Sequence, residues 1–257
     1  MNRLVLIPVL IIGLLLVSNV EADADAYTMD ELVVRGTPEG MDVATASYEI
    51  GSREIAATPA KTVDEILNLF SSVTVRTGPE GVPRVEMRGF RSRQILFMLD
   101  GIPLNSGFDQ QFDPTLIPLE SVEKIQITAG AGSVLNGQGG LGGVINIITK
   151  KAQQGSAAFF GFESGEGQPF MLKANVSHGM DSSDVIIGGS MYKRNYFPVA
   201  SPFTASIVEG QGYRTNSDAT RNSFYSNFGY RFGDHLKIRL ITNYVTGDYG
   251  KPASAIN

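Results

Sequence analysis

The sequence predicts a small α+β domain followed by antiparallel, membrane-crossing β-strands that are too few to close a barrel. Three observations carry that prediction. An apolar leading segment followed by small residues marks an exported chain. Between residues 62 and 151, one short helical stripe and several brief apolar runs are separated by glycines, the texture of a compact mixed domain. Beyond residue 151 the apolar residues fall on alternate positions in runs of about ten, the length a tilted strand needs to cross a bilayer.

The chain opens with Arg3 and an apolar run over residues 4–17, broken only by Pro8 and Gly13. Ala22, Ala24 and Ala26 then supply small-residue cleavage patterns, so residues 1–26 read as a signal peptide. The run is shorter than the roughly 20 apolar residues of a transmembrane helix. Residues 27–61 are polar with short apolar clusters and read as an extended segment. A net charge of -5 over 257 residues weighs against a nucleic-acid partner, because phosphate contacts need a basic face. With no cysteine, neither a disulfide nor a thiolate metal site is available.

In the mixed domain, Thr62 and Glu65 stand in the relation of a capping box. Val63, Ile66, Leu67 and Phe70 follow as one apolar stripe of a short helix, which Ser71 and Ser72 end. Apolar runs at residues 73–75, 82–87, 95–99, 125–127 and 144–148 read as strands. Turn glycines lie between them, and Asp100-Gly101 suits a tight hairpin turn in which glycine accepts positive φ. The segment from Gly137 to Gly142 also satisfies G-x-G-x-x-G, but it precedes a strand rather than a helix. A dinucleotide loop needs strand, turn, then helix, so that reading falls.

Past residue 151, Phe170, Leu172, Ala174 and Val176 alternate with Met171, Lys173, Asn175 and Ser177. Phe224, Phe228, Tyr230 and Phe232 keep the same period, as do Leu236, Ile238, Leu240, Thr242 and Tyr244; Val185, Ile187, Gly189 and Met191 follow it less cleanly. A soluble sandwich also alternates. Strand length, aromatic content and the export signal favour lipid. A polar stretch at residues 196–221 is longer than the gaps at 165–167 and 233–234, the loop asymmetry of outer-membrane barrels.

Four segments in order resemble the plug domain of TonB-dependent receptors: VEMRGF at residues 85–90, ILFMLDGIPL at 95–104, IPLESVEKIQI at 117–127 and GGVINIITK at 142–150. The resemblance spans residues 62–151 and implies a plug there, with the first strands of an outer-membrane β-barrel at 152–257. It further implies location in the outer membrane of a Gram-negative bacterium, contact with outer-membrane lipid, and uptake of a small ligand, typically a metal chelate: a ferric siderophore, cobalamin or haem. No cofactor is implied. Asp30, Glu31, Leu32, Val33, Val34 and Arg35 look like the TonB box, which in this family pairs as an added strand with the energy-coupling protein TonB. The resemblance also makes Arg88 a plug–barrel contact that would need a carboxylate partner if buried; the alternative is a solvent-exposed arginine in a turn. The same resemblance turns two loops toward the ligand: Gly78, Pro79, Glu80 and Gly81, and Asn105, Ser106, Asp109, Gln110 and Gln111. The chain departs from the family at Gln126, Ala129 and Ala131, where an acid, an arginine and a nearby proline are common, and at Asn136, where tyrosine is common. A second plug arginine is therefore missing from its usual place.

An enzyme is not indicated. His178 and His235 are far apart, and no P-loop, H-E-x-x-H or nucleophile elbow is present. Asp109 and Asp113 with Gln110 and Gln111 could form a cation site, or be plain solvated loop residues. About five barrel strands are expected, against about 22 for the family and about 8 for the smallest bacterial barrels. Open edges in lipid leave backbone groups unsatisfied at several kcal/mol each. The expectation is thus the N-terminal part of a longer receptor. The alternative is a periplasmic binding or signalling module, in which the plug acts alone and the strands form a small soluble sheet.

Overall fold

The computed structural model describes residues 46–77, 82–130, 140–165, 169–199, 212–233 and 235–251. The expected signal peptide and TonB box lie outside these residues, as do Gly78, Pro79, Glu80, Gly81, Ala131 and Asn136. The described chain forms a mixed first domain and a separate sheet of long strands.

The first domain contains β1 (Ala46–Gly51), α1 (Ser52–Ala57), α2 (Val63–Leu67), β2 (Val73–Thr77), β3 (Pro83–Met87), β4 (Ile95–Leu99), β5 (Ile102–Pro103), β6 (Val122–Ala129) and β7 (Gly143–Thr149). Five of its strands make one sheet in the order β1-β6-β7-β4-β5, with β4 and β7 parallel and the other pairs antiparallel. β2 and β3 form a separate hairpin. Ile125, Ile127, Ile145, Ile147 and Phe97 project from one sheet face into a core closed by Val63, Ile66 and Leu67 of α2, with Phe70 packed at its margin. Three residues of the apolar stripe read from sequence are the buried face of that helix, which ends at Leu67, short of Phe70 and of the expected stop at Ser71 and Ser72. The sheet also takes in β1, and the core takes in Ile55 of α1, both upstream of the expected boundary at residue 62.

The helix cap differs from expectation. Thr62 is the N-cap residue, yet its side chain makes no cap bond, and Glu65 Oε2 accepts from the Lys61 N–H at 2.6 Å. Glu65 thus reaches one residue further back than a capping box would, past the extended N-cap residue Thr62 at φ -138°. The two glycine turns behave as their chemistry demands. Asp100 and Gly101 have φ of 49° and 84° and join β4 to β5 as a two-residue hairpin. Arg88 and Gly89 repeat those angles between Met87 and Phe90.

The second sheet has the order β14-β13-β10-β9-β8 and is antiparallel throughout. Its strands are β8 (Gly155–Ser164), β9 (Phe170–Gly179), β10 (Ser183–Arg194), β13 (Ala219–Phe232) and β14 (Leu236–Tyr249); β11 (Phe197–Pro198) and β12 (Tyr213–Arg214) form a small ladder beyond β10. The described sheet is open rather than closed into a barrel. Its register puts Phe160, Ala174, Gly189, Phe224 and Tyr244 in one row across all five strands, and Val185, Phe228 and Leu240 in another. That face is the alternating apolar set seen in sequence, and it is left bare, with Phe160 70% and Leu240 62% exposed. A continuous bare apolar face of this kind fits lipid. Because neighbours run antiparallel, the short 165–169 turn shares an end with the long 195–218 connection, while the turns at 180–182 and 233–235 share the other. The loop asymmetry is therefore carried by one long connection at that end.

Candidate functional site: the seam between the domain and the sheet

The opposite face of the long-strand sheet carries polar side chains by the same period of two: Glu163 on β8, Lys173 and Asn175 on β9, Arg221, Tyr225 and Asn227 on β13, and Arg239 on β14. The first domain sits against this face, and two polar seats hold it there.

Toward the short-turn end, Asp184 holds Arg239 through two bonds of 2.7 and 2.8 Å, and Arg239 Nη1 donates to Asn227 Oδ1 at 2.5 Å. Asn227 Nδ2 donates across the seam to Thr149 Oγ1 and to the Lys150 carbonyl, both at 2.9 Å. Thr149 Oγ1 in turn donates to Asp100 Oδ2 at 2.6 Å, and the Thr149 N–H donates to Asp100 Oδ1 at 3.0 Å. Thr149 and Asn227 are both buried. A hydrogen-bonded relay thus runs from the sheet into the Asp100-Gly101 turn, and charge at each end strengthens it.

Toward the long-loop end, Arg221 is 5% exposed. Its Nη1 donates to the Lys61 carbonyl at 2.8 Å; its Nη2 donates to the carbonyls of Thr115 at 2.8 Å and Ile117 at 3.4 Å. Asp64 lies near enough for the two charges to interact, but burial dominates and pushes its carboxyl pKa above the ordinary 3.8; a Thr62 side-chain bond, its own backbone bond and, least, Arg221 oppose that shift, while Asp113 reinforces it. Arg221 and Asn227 stand six positions apart on β13, so the seats lie about 20 Å apart. Level with Arg221 across the sheet, Glu163 of β8 pairs with Lys61 of the domain and, at 2.6 Å, with Lys173 of β9. A cavity of about 350 Å³ opens there, lined in part by Glu120, Lys150, Glu163, Lys173 and Tyr225. Burial lowers the Lys150 pKa, with Glu123 and Glu120 opposing and Lys173 reinforcing.

The sequence-derived candidates are distributed differently. Arg88 is exposed in its left-handed turn, where its N–H donates to the Ser72 carbonyl at 3.2 Å. Asn105 is occupied by backbone: its Oδ1 accepts from the Phe97 N–H at 2.7 Å, and its Nδ2 donates to the carbonyls of Ile95 and Gln110. It pins the following loop to β4. Asp109 accepts from the Gln111 N–H at 3.1 Å and from its Nε2, and the backbone bond is the main reason its pKa falls. Gln111 Nε2 and Oε1 tie the loop to Asp109 and Ser92. The Ser106 carbonyl accepts from the Gln110 N–H. Asp113 caps the next turn through Thr115, and no group of three possible metal ligands occurs among the described residues. Sequence reasoning missed Phe108, 99% exposed at the loop tip. It also missed Arg221, Asn227 and Arg239. Their visible signal was polarity on the inward positions of alternating strands.

Residues 39–144 match the TonB-dependent receptor plug domain. A vitamin B12 transporter of Photobacterium profundum is 29% identical over 211 residues, covering 79% of this chain and 34% of that protein. One from Vibrio cholerae is 35% identical over 139 residues, covering 52% and 23%. The chain thus spans about a third or less of the length of these relatives. Among solved structures, the siderophore receptor PirA from Acinetobacter baumannii superposes with a TM-score of 0.61 at 21% identity, covering 79% of this chain and 32% of that one. The ferripyoverdine receptor of the outer membrane of Pseudomonas aeruginosa does so with a TM-score of 0.60 at 14% identity, covering 79% and 25%. A domain seated on the polar face of a sheet whose other face is bare and apolar is the arrangement these similarities share: residues 39–144 form a TonB-dependent receptor plug domain, and the described chain has the fold of the corresponding part of the solved outer-membrane receptors.

Proposed function

We propose that this chain serves energised uptake of a scarce ligand across the outer membrane, as the plug and first wall strands of a receptor whose barrel is closed by further strands. The observation that carries this reading is the seam: a cored plug held by buried polar seats on the inner face of a lipid-facing wall. That arrangement gives a plug a defined closed position from which it can be displaced. The bare outer face weighs against the periplasmic module, because a soluble sheet would leave those phenylalanines and leucines in water. Transport is a binding and displacement function, and no catalytic group is assigned to it.

Cobalamin is the favoured ligand, on the strength of the vitamin B12 transporters among the sequence relatives; ferric siderophores and haem are the alternatives. The loop at residues 105–111, with Phe108 at its tip, is the proposed ligand-facing plug surface, together with residues 78–81. Arg88 is proposed to meet wall strands other than the five described. Residues 30–36 are proposed as the TonB box, offering a strand edge to TonB. Deleting residues 30–36 from the receptor is expected to abolish energy-dependent accumulation of radiolabelled cyanocobalamin while surface binding persists. Accumulation that survives the deletion would refute the box. Absence of cyanocobalamin binding, with a ferric siderophore or haem bound instead, would reassign the ligand.

A further inference from the structure

One guanidinium touches two separate stretches of the plug. Through Lys61 it holds the chain as it enters α2; through Thr115 and Ile117 it holds the turn that follows the exposed loop at residues 105–111. That turn is organised by Asp113, whose Oδ1 accepts from the Thr115 N–H at 2.9 Å and from Thr115 Oγ1 at 2.7 Å. Arg221 is anchored in β13, so both stretches are referred to one fixed point on the wall. Only arginine suits this position: its fork carries several donors in a plane, whereas lysine presents one compact head.

Two buried atoms beside this contact are unsatisfied. Arg221 Nε and Asp64 Oδ1 each lack a hydrogen-bond partner, and among the described residues Arg221 makes no ion pair. A buried guanidinium held, among the described residues, by carbonyls alone, next to a carboxylate with a vacant oxygen, has a second seat available. A coupling element needs two such arrangements, whose balance both ends can bias.

We propose that Arg221 is the positioning residue that couples the loop at residues 105–111 to the chain segment entering α2. Displacing Thr115 and Ile117 lets the guanidinium turn to Asp64, and the Lys61 carbonyl is released in the same step. The link to uptake rests on the receptor reading above, but the coupling itself is a property of the fold and needs neither ligand nor TonB.

It is tested by amide hydrogen exchange, read by mass spectrometry on outer-membrane vesicles containing the protein. Asp113→Ala removes the cap on the Thr115 turn and stands in for loop displacement. Exchange over residues 62–68 is expected to accelerate about tenfold, within the range of ordinary coupling energies, and by less than about twofold when Arg221→Gln is also present. Arg221→Lys is expected to behave as Arg221→Gln. Equal acceleration in the presence and absence of Arg221 would assign the effect to direct packing of α2 on the turn and overturn the proposal. So would no acceleration at all, or full coupling in the lysine variant. Protection across β9 and β10 confirms that each variant keeps its wall. Should Arg221→Gln fail to fold, Asp64→Ala provides the second measurement: without the alternative seat the Asp113→Ala effect is expected to fall at least about threefold, and an undiminished effect overturns the idea. These outcomes stand apart from the uptake assay, so the coupling and the receptor reading can fail separately.

Discussion

Asn227→Ala gives the most direct measure of how strongly the plug is seated. Asn227 makes two bonds across the seam, to Thr149 Oγ1 and the Lys150 carbonyl, and accepts a third from Arg239 along the wall. The neutral bonds contribute about 1 kcal/mol each, and the bond to the guanidinium about 1.5–3 kcal/mol. Arg239 keeps both bonds to Asp184, and Thr149 keeps its bond to Asp100, so no charge is stranded. With water entering the vacated space, a net loss of about 3 kcal/mol is expected. A plug of this size unfolds in urea with a slope of about 1–2 kcal/mol per molar, which puts the midpoint about 1.5–3 M lower. The chain has no cysteine, so a fluorophore on Leu69→Cys, at an exposed plug position, reports plug unfolding alone. Adding Thr149→Val completes a double-mutant cycle with an expected coupling of about 1 kcal/mol. A midpoint shift below about 0.3 M would show that the seam is held by something other than this relay.

Other perturbations separate burial, screening and backbone effects. Burial raises the Asp64 pKa, so its folded form holds the proton more tightly; its contribution is favourable below the unfolded value of 3.8 and is lost as pH rises through the folded value. Asp64→Asn is therefore expected to raise the urea midpoint at neutral pH and to flatten its fall above about pH 4; an unchanged pH slope would contradict this. Glu163→Gln removes the shared partner of Lys61 and Lys173, but the pair is partly exposed, so a loss of at most about 1 kcal/mol is expected. That loss should shrink in about 1 M salt; a salt-independent loss would point to packing. Gly143→Ala is expected to be the severest of the set. Gly143 has φ of 143°, and a Cβ there would lie 2.5 Å from the Thr128 carbonyl oxygen, so strain alone costs about 1–3 kcal/mol. A normal melting profile would refute the close approach of β6 and β7.

Much of the fold was legible because short-range rules govern it. Val63, Ile66 and Leu67 are the buried face of α2, with Phe70 packed just past its end, and Asp100-Gly101 forms the expected hairpin turn, because a helical period and a positive φ are both written locally. The alternating runs became β9, β10, β13 and β14 for the same reason. β1 and α1 were not legible. Their apolar residues are few, and β1 is a strand only because β6 offers its edge. β8 was hidden too, since Phe159 and Phe160 are adjacent and break the period of two.

For the site, the sequence by itself determined the order of the plug segments, the export signature and which face of each wall strand is apolar. The order of the plug segments was read from the resemblance to a family, whereas the export signature and the apolar faces follow from composition and periodicity, which need no partner. Only the tertiary structure decided how the plug is held. Arg221 and Asn227 look like ordinary inward-facing polar residues, and their partners include the carbonyls of Lys61, Thr115, Ile117 and Lys150. A carbonyl is the same group in every residue. Which one meets a guanidinium is fixed by where the chain lies, and no side-chain pattern records it.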